Sequence, residues 1–199
     1  MAPTLIGRIC VFCGSRPGGR DEYVDQARRL GELLTSRDIG LVYGGASVGL
    51  MGAVADAVLN AGGEVIGVIP EALAVKELAH QQVGDLRVVG SMHERKALMA
   101  ELSDAFIALP GGFGTFEELF EMVTWAQLGM HRKPFGILNV AGFFDGLLAL
   151  VDHAIEEGFI PPDHRRLILS ASDPDELLRL ILGYEAPPPV VKWIRAGQT

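Results

Sequence analysis

The sequence predicts an α/β fold: an open, mostly parallel sheet with helices on both faces. Three observations predict it. Short apolar, β-branched runs recur along the chain, segments of helical period separate most of them, and glycine-rich loops directly follow three of the runs. Strands that are apolar on both faces need cover on both sides, and strands joined through helices pair in parallel.

Taken in order, the strands are expected at residues 6–13, 39–43, 65–69, 86–89, 105–109, 135–140 and 167–169, and the helices at 21–36, 48–61, 92–102, 115–128, 143–157 and 174–182. The first run, Ile-Cys-Val-Phe-Cys at 9–13, is continuously apolar and gives way to Gly14-Ser15-Arg16. The second ends in Gly44-Gly45-Ala46-Ser47, and the fifth in Pro110-Gly111-Gly112-Phe113-Gly114-Thr115. In open parallel sheets ligands bind outside the carboxyl ends of the strands, at the point where strand order reverses, so these loops are where a site is expected. Residues 1–184 are expected to form one nucleotide-binding domain. The Pro-Pro-Pro at 187–189 cannot continue a helix, which makes 185–199 a tail that packs back through Trp193 or hangs free.

Composition narrows the function. A chain of 199 residues with 49% hydrophobic residues and 25 glycines is globular, and a net charge of −8 argues against a nucleic-acid binder, which needs a basic face. No stretch approaches the ~18 apolar residues of a membrane span, and no secretory leader pattern is present, so the cytoplasm is the expected compartment. Cys10 and Cys13 make a C-x-x-C inside a strand. Side chains three apart there point to opposite faces, so two buried, inert thiols are expected. The histidines at 80, 93, 131, 153 and 164 show no metal-ligand spacing, and no metal is expected. His131-Arg132-Lys133, after Gly129 and before Pro134, has the pattern of a helix end, with a contribution to a partner subunit's site as the alternative.

The loop at 110–115 leaves a strand and enters a helix, where glycine lets backbone N–H groups approach an anion and the helix N-terminus adds partial positive charge. It lacks the Gly-Lys-Ser/Thr of a P-loop and the third glycine of a dinucleotide fingerprint. Thr115 and Glu118 have capping-box spacing, so Glu118 either caps the helix or points into the anion site as an acid–base group; spacing alone leaves both open. Ser91 and Glu94 form a second such box. Arg95 and Lys96 then fall near the positive end of that helix, where helix stability does not ask for cations but a bound anion would.

These motifs together resemble the LONELY GUY family of cytokinin riboside 5′-monophosphate phosphoribohydrolases. The family pattern Pro-Gly-Gly-x-Gly-Thr-x-x-Glu is matched from Pro110 to Glu118, and Met-x-x-Arg-Lys by Met92, Arg95 and Lys96. The likeness extends through 11–15, 43–52, 124–129 and 133–134. The resemblance implies a Rossmann-like fold, a homodimer, no metal and no cofactor. It implies hydrolysis of the N-glycosidic bond of N6-modified adenosine 5′-monophosphate to free base and ribose 5-phosphate. Arg95 and Glu118 would be the catalytic pair. Gly111, Gly112, Gly114 and Thr115 would hold the 5′-phosphate with help from Ser15, Met92 and Lys96 would line the nucleotide site, and Gly45 would lie near the ligand. The chain departs from the family in Arg16-Pro17-Gly18-Gly19, where a serine-rich stretch is common. His93 is a candidate acid for the leaving base. Two other readings stay open: a broader nucleotide nucleosidase acting on AMP, and a non-catalytic carrier of a nucleotide or molybdenum cofactor.

Overall fold

The computed structural model describes residues 6–74 and 79–188. Seven strands, β1 (Arg8–Phe12), β2 (Gly40–Tyr43), β3 (Val65–Pro70), β4 (Asp85–Val89), β5 (Ala105–Ala108), β6 (Phe135–Leu138) and β7 (Ile168–Ala171), form one sheet. Its order is β4-β3-β2-β1-β5-β6-β7, and every pairing is parallel. Successive strands step outward from β1 on one side and from β5 on the other. The reversal of strand order therefore falls between β1 and β5.

The helices are α1 (Asp21–Ser36), α2 (Gly49–Asn60), the single turn α3 (Glu71–Leu73), α4 (Met92–Glu101), α5 (Phe113–Gln127), α6 (Asp145–Glu156) and α7 (Pro174–Leu182). They divide between the two faces, as the doubly apolar strands require. Ile9, Val11 and Cys13 face a core with Leu30 and Leu34 of α1, Val54 and Val58 of α2, and Leu177 and Ile181 of α7. Cys10 and Phe12, alternating with them, face Met99 of α4, Leu119 and Met122 of α5, and Val151 of α6. The two thiols are thus buried, free and on opposite faces, and burial pushes both well above the ordinary thiol value. That is the behaviour expected of inert packing residues.

Three features were not foreseen: α3, a 3-10 turn at Val140–Gly142, and a second 3-10 turn at Pro162–Leu167 that precedes β7. The turn at Pro162–Leu167 makes β7 start one residue later than expected. The helix α5 ends as the sequence indicates. Gly129 takes φ +78°, Gly129 N donates to Ala126 O, and Met130 N donates to Trp125 O, which is a Schellman closure. His131 and Lys133 then point into the chain itself, with His131 Nε2 3.1 Å from Met122 O and Lys133 Nζ 2.7 Å from Ala100 O. Burial pulls the imidazole of His131 down to about 4, so it stays neutral in this role. Residue Trp193 of the tail lies outside the described residues. No described helix is long and apolar enough to cross a membrane.

The last helix supplies a stability test. Asp173 caps α7 by accepting from Asp175 N at 2.9 Å and Glu176 N at 3.1 Å. Asp173→Ala should cost about 1 kcal/mol, measured as a lower urea midpoint at unchanged slope. An unchanged midpoint would show that the cap contributes nothing.

Candidate active site

Three loops meet at the carboxyl ends of β1, β2 and β5 and are stitched by their backbones. Gly14 N donates to Pro110 O at 3.0 Å, and Leu50 N donates to Gly14 O at 3.0 Å. A Cβ on Gly14 would lie 3.3 Å from Gly111 Cα, and one on Gly49 would lie 2.3 Å from the carbonyl carbon of Ser15. The approach at Gly49, which is also at φ +60°, is open only to glycine, and that at Gly14 is tight enough to favour it.

The start of α5 corrects one expectation. The helix begins at Phe113 with Gly112 as N-cap and no side-chain cap, not at a Thr115 cap. Thr115 is buried in the first turn, with its Oγ1 2.1 Å from where a Cβ on Gly111 would stand. Glu118 consequently does not cap the helix. Gly112 and Gly114 lie on the open side, where an added Cβ would meet nothing within 4 Å. The first amides of α5 carry no intrahelical partners and the positive end of the dipole, so this surface suits an anion.

Glu118 reaches Arg95 instead. Ser91 caps α4 by accepting from Glu94 N at 3.1 Å, while the Glu94 carboxylate accepts from Gly90 N at 2.8 Å. This sets Arg95 in the first turn of α4. Its Nη1 donates to Glu118 Oε1 at 2.8 Å and its Nε to Val68 O of β3 at 3.1 Å. Both side chains are buried, 10% and 9% exposed. Gly44 closes the other side: a Cβ there would lie 2.1 Å from Arg95 Nη2. Burial pushes the Glu118 carboxyl above its ordinary value, and the charge and hydrogen bond of Arg95 pull against that without cancelling it. A carboxylate so placed is a stronger base than one in water.

Lys96 sits one residue on and is also buried, but its ammonium is committed to Glu117 and Glu121, the latter at 3.0 Å. These partners, one helical turn apart on α5, were not picked out as a pair by the sequence, because only the α4–α5 packing brings them to Lys96. The Val68 carbonyl was missed for a similar reason, since a backbone acceptor leaves no mark in a sequence. Met92 is half-exposed at the start of α4, Ser15 is exposed on the loop after β1, and Gly45 is buried at φ +76°. His93 is exposed. Residues two apart do not share a helix face, so it is turned away from buried Arg95.

Comparison with known proteins identifies the family to which the chain belongs. The family model described as "Possible lysine decarboxylase" matches residues 51–181. A probable cytokinin riboside 5′-monophosphate phosphoribohydrolase of rice (Oryza sativa subsp. japonica) is 58% identical over 89% of this chain and 78% of its own. A cytokinin riboside 5′-monophosphate phosphoribohydrolase of Arabidopsis thaliana is 55% identical over 89% of this chain and 83% of its own. Among solved structures, the molybdenum cofactor binding protein of Rippkaea orientalis superposes with a TM-score of 0.68, covering 89% of this chain and 96% of that one. At 23% identity it attests the fold alone. With more than half of the residues shared with the plant enzymes across nine-tenths of its length, the chain belongs to the LONELY GUY family of cytokinin riboside 5′-monophosphate phosphoribohydrolases.

Proposed function

We propose that this protein hydrolyses the N-glycosidic bond of N6-modified adenosine 5′-monophosphates, releasing the free base and ribose 5-phosphate. The observation that carries the reading is the buried Arg95–Glu118 pair beside the glycine cradle at the strand-order reversal. The 5′-phosphate docks on the backbone of Gly111, Gly112, Gly114 and Thr115 at the α5 N-terminus, and Ser15 borders it. This anchors the ribose with its anomeric carbon toward Glu118.

Breaking the C1′–N9 bond leaves positive charge on the sugar, which a nearby carboxylate stabilises. Glu118 also accepts a proton from the water that attacks C1′, and the base departs with the bonding electrons and takes up a proton. Arg95 keeps Glu118 aimed and ionised. Lys96 acts at one remove, through Glu117 and Glu121. Met92 on α4 and the 92% exposed Phe113 at the start of α5 are apolar side chains left uncovered in the single chain. A dimer in which a second copy covers these side chains fits the same exposure.

The test is base release. Purified protein incubated with N6-isopentenyl-AMP and with AMP should liberate isopentenyladenine faster than adenine, each with one ribose 5-phosphate. Equal rates would widen the substrate class to adenosine monophosphates in general. Tight nucleotide binding without release of either base would turn the assignment to a carrier.

A further inference from the structure

The glycine wall behind Arg95 is a flexible element asked to hold a fixed position. Gly44 and Gly45 have the greatest backbone freedom of any residue type, and Gly45 occupies the left-handed region. Something outside the loop has to fix it, and the segment at 79–83 does so. His80 N donates to Gly45 O at 2.9 Å, and Ala79 bridges Ala46 in antiparallel fashion.

That segment is itself anchored by the His80 ring. The imidazole is 4% exposed, and its Nε2 lies 3.0 Å from Asp56 Oδ1 on α2. Its Nδ1 accepts from Gln82 N at 3.4 Å, which assigns the ring proton to Nε2 and makes Asp56 the acceptor. The chain of contacts runs from Asp56 on α2 through the His80 ring and backbone to Gly45, then to Gly44 and the guanidinium of Arg95.

We propose that His80 is a positioning residue for glycosidic hydrolysis: by tethering the 79–83 segment to Asp56 it fixes the Gly44–Gly45 wall against which Arg95 is aligned. It touches neither substrate nor reacting atoms, and nothing else assigned to the site explains a buried histidine at this point. The proposal rests on the role given above to Arg95 and Glu118.

The experiment compares His80→Ala, His80→Gln and Asp56→Ala with wild type in steady-state base release from N6-isopentenyl-AMP, alongside thermal unfolding. Asp56 is half-exposed, so its replacement breaks the tether without opening the core. His164→Ala serves as the structural control. That histidine is equally buried but bonds Pro188 O at 3.3 Å, away from the three loops. A misalignment of order 1 Å costs up to about a hundredfold, so His80→Ala and Asp56→Ala should lower kcat by about tenfold with KM moved by less than about threefold. His80→Gln, whose Nε2 can still donate to Asp56, should recover most of that loss, and His164→Ala should lower the melting temperature while leaving kcat intact. An unchanged kcat in Asp56→Ala, no recovery in His80→Gln, or an equal kcat loss in His164→Ala overturns the assignment. Absence of turnover in the wild type overturns instead the functional reading beneath it.

Discussion

Glu118→Gln should leave a folded protein whose base release falls by about 10²–10⁴-fold, the range that a positioned acid–base or charge-stabilising group contributes. The amide oxygen still accepts from Arg95 Nη1, so the 2.8 Å contact and the α4–α5 packing survive. What is lost is the negative charge: the sugar cation has no counter-charge and the attacking water has no base. Because burial already favours the neutral form of Glu118 and the hydrogen bond from Arg95 is retained, the stability change is small, about 1 kcal/mol. Activity and urea midpoint therefore separate, with a small shift in one and a near-total loss in the other. A stable, fully active variant would remove Glu118 from the mechanism.

The pH dependence gives the same residue a second, independent signature. Because burial raises the Glu118 carboxyl despite Arg95, the acid limb of the rate profile should lie above the range of a surface glutamate. The stability sign is the reverse of the usual carboxylate case. A group raised on folding contributes fully below its unfolded value, and that contribution is lost as pH rises through the folded one. Wild type should therefore gain stability over Glu118→Gln as the solution is acidified through this range. The opposite slope would mean that the attraction of Arg95 outweighs burial.

Much of this site is legible in the sequence, and the parts that are not share a cause. Two cations near the start of α4 suggested a bound anion, but in the structure both are paired with carboxylates of the chain itself: Glu118 for Arg95, Glu117 and Glu121 for Lys96. The strand–helix alternation gave the sheet and the glycine loops gave its ligand end, because burial on two faces and close backbone approach both dictate residue type directly. The Thr-x-x-Glu spacing left open a capping box that the structure does not form. A glycine can cap a helix with no side chain at all, so α5 starts two residues before the expected 115 and both Thr115 and Glu118 are available for other contacts. The Val68 carbonyl and the His80–Asp56 tether were hidden altogether. One is a backbone atom, and the other joins residues 24 positions apart through a segment with no periodic signal.

Gly44→Ala tests whether the wall behind Arg95 matters as geometry rather than as charge. Gly44 is not at positive φ, so alanine brings no backbone strain and its effect is steric. The added Cβ would sit 2.1 Å from Arg95 Nη2 and 3.0 Å from Met51 Sδ. The Met51 thioether can turn aside. The guanidinium cannot, because moving it breaks its bonds to Glu118 and Val68 O in a buried setting. Expected are a loss of about 1–3 kcal/mol from overpacking and a kcat lowered by about a hundredfold through misalignment. Gly114→Ala provides the contrast. Its Cβ meets no protein atom and sits in the first turn of α5, where alanine is favoured over glycine by up to about 1 kcal/mol. If the phosphate docks on that turn, this variant becomes more stable while its KM rises and its kcat changes little. A Gly44→Ala enzyme that keeps its kcat would place Arg95 outside the rate-determining alignment. A Gly114→Ala enzyme with unchanged KM would move the phosphate off the α5 N-terminus.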